Sequence, residues 1–433
     1  MVSSASRRAP DRRTRRGLAA SADVRRFVVV GLVDALGSGL FLPVSVLYFT
    51  RSVGLSVVSV GFGLSLAGLF GLLSTVPAGT LLDRIGPKRV LLCCQIAGAV
   101  GFLGFIAAHS YPLFLLTACV VRVGDRITRP AQVALAAQLG GEEQRVRLSA
   151  VNHSMRNLGY GLGGVLATIA LSQDTRAAYL ALVVGNAISF GLAALVLAGV
   201  TPGHRPVSTD RPPAGYRTVV RDRRYVTVVV CHAGVTLLFT MLTVGMPLWV
   251  ARTGAPLALT GALFTLNTLL VVLFQVRVSA IAATLSGAGR SYLRAGWLTC
   301  GAAVAFGGAA LFSPGPGANQ TSRHIAVVAA LVLATMVLTA GELFNSAGQW
   351  GLSVGLAPEP LRGRYLGFFA VGYGIQETVG PVLVTSVLAG LGARGWLVLG
   401  VVPVIAGIVA WRVGVTAEKD ERMAAAARQE VAR

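Results

Sequence analysis

The sequence is a succession of apolar runs, each long enough to cross a lipid bilayer as a helix. A helix needs about 20 apolar residues to span the hydrocarbon, and twelve runs in this chain reach that length. Only 13% of the 433 residues are charged, whereas soluble globular chains carry roughly 25%. The sequence therefore predicts an all-α integral membrane protein with twelve transmembrane helices. The predicted spans are 27–48, 55–82, 90–108, 112–139, 148–171, 177–200, 226–250, 256–283, 293–312, 325–355, 366–391 and 395–413.

A polar stretch at 201–224 separates the sixth span from the seventh. It holds four prolines and six arginines, a composition that does not enter a membrane and is typical of a linker. The linker divides the spans into two bundles of six, at 25–200 and 225–413. Residues 1–24 are arginine-rich and lack the apolar core of a cleavable signal. We expect a disordered cytoplasmic tail there and a second, short cytoplasmic tail at 414–433.

The positions of the basic residues predict how the chain is oriented. With both termini in the cytoplasm, the cytoplasmic segments hold 28 lysines and arginines, and the outer loops hold five. Because such residues concentrate in cytoplasmic loops, we expect a multi-pass protein of the cytoplasmic membrane with both termini inside. The net charge of +21 does not indicate nucleic-acid binding, because the bases lie between apolar spans and not in basic patches interleaved with aromatic residues.

Motifs for enzymatic chemistry are missing from the sequence. There is no phosphate-binding loop, no His-Glu-x-x-His helix and no Gly-x-Ser-x-Gly elbow. The five histidines are scattered, and the five cysteines lie inside apolar spans, where they form neither a metal cluster nor a disulfide framework. We therefore predict a protein that is not an enzyme and that uses no cofactor and no metal.

The two halves of the chain repeat one another. Adding 217 to positions near the fourth span lands on similar residues, so that Asp125 corresponds to Glu342, and bases correspond in the loops that follow. Near the start of each half the offset is 198, and Asp34 then corresponds to His232. Six helices repeated in parallel by six more is an arrangement found in membrane transporters.

The connection between the second and third spans carries an ordered pattern of glycines, one acid and several bases. It reads Gly79-Thr-Leu-Leu-Asp-Arg-Ile-Gly-Pro-Lys-Arg89. Gly79 allows close helix packing, and Gly86 with the following proline favours a tight turn. The acid of this loop can cap a neighbouring helix or pair with a base at the edge of the bilayer. An ordinary charged loop of the cytoplasmic side is an equal alternative to a set of ordered contacts formed by Gly79, Asp83, Arg84, Gly86, Lys88 and Arg89.

This loop closely resembles the one between helices two and three of the major facilitator superfamily. Together with the internal repeat, the resemblance covers about residues 25–412. It implies two pseudo-symmetric six-helix bundles that rock about a central site. The loop would then act as a cytoplasmic gate, in which Asp83 and its neighbours, with Arg145, Arg147, Arg362 and Arg364, help to close the cytoplasmic side.

Three features look like the twelve-helix drug:proton antiporters of that superfamily. They are Asp34 in span one, Arg122 with the following glycine in span four, and the glycine-rich run 157–164 in span five. The antiporter pattern carries a proline after a glycine in span five, where this chain has Leu162 or Gly164. A glycine–proline pair stands instead in the eleventh span, and the direction of transport is therefore open.

Four acids lie inside predicted spans, where an ionisable group is costly and is a functional candidate by default. Asp34 lies about 13 Å into the first span, with no ionisable neighbour in the sequence. A carboxyl group removed from water favours its neutral form, so Asp34 is the leading proton acceptor, unless it forms a structural pair with Arg122 or Arg126. Further proton-coupling candidates are Glu342, Glu377 and His232, and Gln376 is a candidate cavity residue.

The fourth span concentrates charge on one helix face. Arg122 precedes Asp125 by three residues and Arg129 follows it by four, so all three share that face. Two flanking cations predict an ionised, salt-bridged Asp125 with a structural or gating role. Arg126 lies roughly 100° round the helix. It is therefore free to bind an anionic substrate or to pair with a deprotonated Asp34. Arg156 adds a charge in the fifth span.

Residues and resemblance together predict a secondary transporter that couples protons to the export of small lipophilic or drug-like molecules by alternating access. The expected partners are the lipid bilayer, protons and a small-molecule substrate, and the expected state is a monomer. Two alternatives stay open. The intramembrane arginines favour proton-coupled uptake of an organic anion or another small solute. A non-transporting membrane receptor or scaffold would need a sizeable soluble segment, and the tails and linker are short.

Overall fold

The computed structural model of the protein describes residues 12–201, 217–279, 284–312 and 320–431. All regular elements in these ranges are helices. The main helices are α1 (Arg12–Phe41), α2 (Val57–Ile85), α3 (Pro87–Ala107), α4 (Tyr111–Leu171), α5 (Arg176–Ala198), α6 (Arg223–Val235), α7 (Met246–Arg252), α8 (Ala258–Ser279), α9 (Leu285–Ala309), α10 (Gln320–Gly355), α11 (Arg362–Leu391) and α12 (Ala393–Val431). Short helical segments lie at Ser45–Leu47, Tyr48–Ser52, Arg217–Arg221, Leu237–Thr240, Met241–Gly245, Ala310–Phe312 and Glu359–Leu361.

Most of these helices are suited to a membrane. Within the described residues, nine helices are long and apolar enough to cross a bilayer, and α1 with the segment 45–52 adds a tenth candidate that is bent by 48°. One of the nine, Arg223–Arg252, is assembled from α6, α7 and the helical turns between them. The prediction of an all-helical membrane protein is therefore confirmed.

Helix α4 doubles back on itself. It is 61 residues long and would measure about 92 Å if it were straight. Asn152 nevertheless donates a hydrogen bond from Nδ2 to Oε1 of Gln132 at 3.4 Å, although 20 residues of straight helix cover about 30 Å. The two arms of α4 therefore run side by side and turn between these residues, where the sequence predicts a loop between the fourth and fifth spans.

Several helices extend beyond the boundaries predicted from hydropathy. α1 begins at Arg12, inside the predicted tail 1–24, and α12 continues to Val431, past the predicted end at 413. A short helix occupies Arg217–Arg221 in the predicted linker, while residues 202–216 lie outside the described ranges. Hydropathy marks only the part of a helix that meets lipid, whereas arginine and alanine favour helix in water as well.

The two halves share one apolar core at one end of the molecule and have separate cores at the other. The largest buried cluster draws on both halves, with Phe49 from the first and Trp249 from the second. A second cluster, around Tyr225, contains only residues of the second half, and a third, around Phe27, only residues of the first. We call the end with the shared core the closed end. The opposite end, which holds the turn at Gly86, is the open end.

Two helix pairs join the halves, α2 with α11 and α4 with α8. Glycines allow the close approach. A Cβ atom at Gly68 would lie 2.5 Å from the backbone oxygen of Glu377, and one at Gly261 would lie 2.7 Å from the backbone nitrogen of Thr168. Real Cβ atoms do not come so near to backbone, so these positions require glycine in this conformation.

Candidate functional site

Asp34, the leading proton acceptor of the sequence, is buried in α1 and pairs with an arginine of α4. Only 4% of its surface is exposed, and Nη1 of Arg156 contacts its Oδ2 atom. Arg156 also donates from Nη2 to the hydroxyl oxygen of Tyr160 at 2.9 Å. The arginine beside Asp34 is thus neither Arg122 nor Arg126, because the second arm of α4 is the one that packs against α1.

Arg126 and Glu377 form an ion pair that joins the two halves. Nη1 of Arg126 lies 3.1 Å from Oε2 of Glu377, and Nη2 donates to the backbone oxygen of Ala370 at 3.3 Å. The two side chains are 15% and 27% exposed. Removing one partner would therefore leave a poorly solvated charge without compensation. The sequence names both residues as candidates but gives no reason to pair them.

Asp125 does not form the salt bridges that its spacing predicts. Within the described part of the chain, the ion pairs up to 4.0 Å do not include it. Its side chain and that of Arg129 are exposed, and Arg122 packs against α2 instead. Asp125 interacts electrostatically with Arg122 and Arg156, with Asp34, and with Glu377 of the other half. It therefore faces the space between the halves and is free to meet a substrate or a mobile guanidinium.

Glu342 of α10 accepts a hydrogen bond from a neutral side chain. Asn267 of α8 donates from Nδ2 to Oε2 of Glu342 at 2.8 Å and to Oγ1 of Thr339 at 3.0 Å. One turn along α10, Asn345 is fully buried, and its amide finds no hydrogen-bond partner among the described residues. α8 and α10 thus enclose a polar region inside the otherwise apolar second half.

His232, the counterpart of Asp34 in the internal repeat, is fully buried in α6. Its Nδ1 atom lies 2.8 Å from the hydroxyl oxygen of Tyr292. The centres of the Phe369 and Tyr373 rings each lie 4.5 Å from the centre of its own ring. Tyr373 in turn donates from its hydroxyl to Oε1 of Gln349 at 3.0 Å. In this conformation His232 has no exposed surface through which to exchange a proton.

Gln376 is also buried, with 7% of its surface exposed. Its Nε2 atom donates to Oγ1 of Thr240. In this conformation it ties α11 to the segment Leu237–Thr240 and does not line the space between the halves.

The loop after α2 forms the tight turn that its glycine predicts. Gly86 has a φ of +83°, which glycine adopts without strain, and α3 begins at the next residue, Pro87. Lys88 donates from Nζ to the backbone oxygen of Ala198 at 2.9 Å. The lysine thereby satisfies a free carbonyl at the C-terminus of α5 and complements its dipole.

The gate contacts expected of this loop are not formed in this conformation. Asp83, Arg84 and Arg89 are exposed, and none of them forms an ion pair or hydrogen bond with a described residue. An added Cβ at Gly79 would find nothing within 4 Å. The halves stand apart at this end, so the loop has no opposite surface to contact. Four further arginines were expected at the gate. The side chains of Arg145 and Arg147 lie outside the described part. Arg362 pairs with Glu359 at 3.7 Å, and Arg364 is partly buried.

The site that results is a set of charged and polar side chains where the halves meet, and such groups can bind protons or charged molecules. The sequence does not single out Tyr160, which accepts a hydrogen bond from Arg156. Nor does it single out Asn267, which donates to Glu342, or Tyr292, which bonds to His232. Tyrosines and asparagines are common in apolar spans, and only the fold shows which of them touch an ionisable group.

The sequence matches the family model of the Major Facilitator Superfamily over residues 27–349. This range covers most of the chain. The chain belongs to the Major Facilitator Superfamily.

Among curated superfamily proteins, the multidrug resistance protein MdtH of Salmonella paratyphi B is 28% identical over 232 residues, which are 52% of this chain and 55% of that protein. MdtH of Salmonella newport matches to the same extent. The match thus spans about half the length of these relatives.

Solved structures support the fold over nearly the whole chain. A POT family transporter in complex with 5-aminolevulinic acid superposes with a TM-score of 0.71 at 14% identity, covering 91% of this chain and 96% of that one. The nucleoside transporter NupG superposes with a TM-score of 0.70 at 11% identity, covering 90% and 98%. At such identities the likeness shows the major facilitator fold alone. The protein is thus a transporter of this superfamily and not an enzyme.

Proposed function

We propose that the chain crosses the membrane twelve times, with both termini in the cytoplasm. Nine helices of suitable length, the bent pair at the start of the chain and the two arms of α4 add up to twelve (9 + 1 + 2). The excess of bases in the segments of one side, 28 against five, supports this orientation. The open end is then the cytoplasmic end, and the conformation described here faces inward.

We further propose that the protein exports small lipophilic or drug-like molecules in exchange for protons. The observation that carries this proposal is the buried pair of Asp34 and Arg156 next to the space between the halves. A carboxylate held by one guanidinium can exchange that partner for a proton, and the exchange alters a contact between α1 and α4. The Salmonella relatives are named multidrug resistance proteins, which supports drug-like molecules as substrates.

Protonation of Asp34 supplies the coupling step in this proposal. It removes the charge that Arg156 compensates, and the guanidinium is then drawn to Asp125, with which it already interacts electrostatically. Because Asp125 faces the space between the halves, this movement changes the surface that a substrate meets. Loading of a proton and loading of a substrate thereby favour different arrangements of the same three side chains, as an exchange mechanism requires.

The outward-facing conformation closes the cytoplasmic end through the gate loop. Asp83 and Gly79 then gain the contacts that they lack in the inward-facing conformation. The protein works as a monomer, since one chain contains both halves of the site. The expected gate residues are Gly79, Asp83, Arg84, Gly86, Lys88 and Arg89, with Arg145, Arg147, Arg362 and Arg364.

Proton flux in inverted membrane vesicles tests the proposal. The vesicles are acidified inside, and a pH-sensitive dye reports whether lipophilic drugs discharge the gradient. We expect discharge with the wild type and none with Asp34→Asn. Asp174→Asn is the matched control, because Asp174 pairs with Arg51 on the exposed surface of the closed end. If no drug discharges the gradient in wild-type vesicles, the proposal fails.

Uptake of an organic anion with protons is the second candidate. The observation in its favour is that Arg122 and Arg129 lack an ion pair among the described residues, and that Arg129 is exposed. Two guanidinium groups beside a central space suit a carboxylate or phosphate. Intact cells decide between the two directions, because uptake accumulates a labelled anion in energised cells, whereas export depletes a labelled drug.

A further inference from the structure

Glu342 differs from the other buried acids in the partners that the fold gives it. Asp34 contacts Arg156, and Glu377 lies 3.1 Å from Arg126. In the described part of the chain, the only group that bonds to the Glu342 carboxyl is the amide of Asn267. Of these three acids, Glu342 is the one that has no cation among its described partners.

We propose that Glu342 is a second proton-binding site, protonated in the conformation described here, so that each transport cycle moves two protons. The inference rests on the proposed function, since it adds a coupling proton to the same exchange. It gives the second half of the molecule its own proton site, independent of Asp34 in the first half.

Charge is costly in a medium of low dielectric constant. An unpaired carboxylate inside a membrane protein costs several kcal/mol, and such a group takes up a proton instead. One amide N–H is a weak substitute for the guanidinium that Asp34 and Glu377 each have. The neutral carboxylic acid can still accept the Asn267 hydrogen bond through its carbonyl oxygen, so protonation leaves the observed contact intact.

Other ionisable groups near Glu342 do not supply the missing charge. Tyr373 of α11 interacts with it electrostatically but is neutral and already donates to Gln349. On α9, Arg294 is exposed and lies 5.5 Å over the ring of Phe344, as a cation–π contact. Arg129 of α4 interacts electrostatically with the same Tyr373 but forms no ion pair up to 4.0 Å with a described residue. His232 of α6 and Tyr292 of α9 bind each other.

A proton can still reach the site. Glu342 is only partly buried, although Asn267 and Thr339 beside it are almost fully buried. Asn267 fixes the carboxyl group at one oxygen and is therefore a positioning residue. A site held by neutral groups and open on one side can bind and release a proton without breaking an ion pair. Protonation of Glu342 is therefore independent of the movement of Arg156 at Asp34.

The proton number follows from the gradient that the transporter can sustain. With the membrane potential clamped to zero, a pH difference of one unit supports a gradient of a neutral substrate of about 10-fold for one proton and about 100-fold for two. We expect the wild type in proteoliposomes to reach the 100-fold value and Glu342→Gln the 10-fold value. Asp174→Asn is the control and should match the wild type. A wild-type gradient near 10-fold, or an unchanged gradient in Glu342→Gln, overturns the inference while leaving proton-coupled export in place.

Infrared spectroscopy of the protein in lipid tests the site without transport. A protonated carboxyl group has a carbonyl stretching band that is distinct from the bands of a carboxylate. We expect this band at neutral pH in the wild type, in Asp34→Asn and in Asp174→Asn, and its loss in Glu342→Gln. A band that persists in Glu342→Gln, or its absence from the wild type, overturns the inference. This result is independent of whether any substrate moves, so failure of the proposed function is distinguished from failure of the proton site.

Discussion

Replacing Gly68 by alanine tests whether the contact between α2 and α11 holds the closed end shut. A Cβ atom there would lie 2.5 Å from the backbone oxygen of Glu377, 2.8 Å from its carbonyl carbon and 3.1 Å from the backbone nitrogen of Thr378. Backbone atoms cannot rotate out of the way, so the two helices must separate. Separation would also stretch the hydrogen bond from the backbone N–H of Val382 to Oγ of Ser65, which is 2.9 Å long.

The magnitude follows from the cost of overpacking. Forcing an extra methyl group into a packed interface costs about 1–3 kcal/mol, and here the cost falls only on the conformation with a closed outer end. Alanine also favours helix over glycine by about 1 kcal/mol, but that gain is the same in both conformations and cancels from their ratio. Gly68→Ala should therefore shift the ratio of the two conformations by about 5- to 150-fold away from the one described here.

Distance measurements between spin labels at the outer end give the ratio directly. Gln173 of the first half and Arg394 of the second are exposed and can carry the labels as cysteines once the five native cysteines are replaced. Gly191→Ala is the matched control, because nothing lies within 4 Å of a Cβ at that helical glycine. Gly68→Ala should lengthen the distance and the control should not. Equal distance distributions in the two variants would refute the role given to this contact.

Three further predictions concern the gate loop and the ion pair between the halves. Gly79→Ala should leave the inward-facing conformation unaffected, since an added Cβ meets nothing within 4 Å. If the gate loop packs tightly in the outward-facing conformation, the spin labels should show a shift of the ratio of the two conformations toward the inward-facing one. Arg126→Gln and Glu377→Gln should each weaken the closed end, and a double-mutant cycle on the same ratio should give a coupling of about 1–2 kcal/mol, between the values for exposed and buried pairs. Lys88→Met should cost about 1 kcal/mol of stability, because the carbonyl of Ala198 loses its donor, and thermal unfolding in detergent should show the loss while the proton-to-substrate ratio stays unchanged.

Hydropathy and the residues typical of turns predict most of the fold. Apolar runs place the spans because every backbone polar group in lipid must be satisfied within a helix. Gly86 before Pro87 locates a turn because few other residues adopt its positive φ. The helix ends were less predictable, as at Arg12, because nothing in hydropathy marks where a helix stops once it has left the lipid.

The partners of the buried charges were not predictable from spacing. Asp125 has arginines at three and four residues, yet neither forms an ion pair with it among the described residues, whereas the fold brings Arg156, far away in the sequence, to Asp34. Spacing along the sequence predicts which side chains contact each other only when the helix is isolated. In a bundle, the neighbouring helices determine which rotamer each side chain adopts. The pairing of Arg126 with Glu377 likewise depends on how α4 and α11 meet, which no pattern within either helix encodes.

The distribution of charge explains how two halves can move against each other at low cost. Among the ion pairs of the described residues, Arg126 with Glu377 is the one that crosses between the halves. Asp34 is compensated within the first half, and Glu342 is held by neutral groups within the second. Each half therefore keeps the partner of its own acid when the interface opens. The separation costs apolar contact at the closed end, one partly exposed ion pair and the hydrogen bond from Val382 to Ser65.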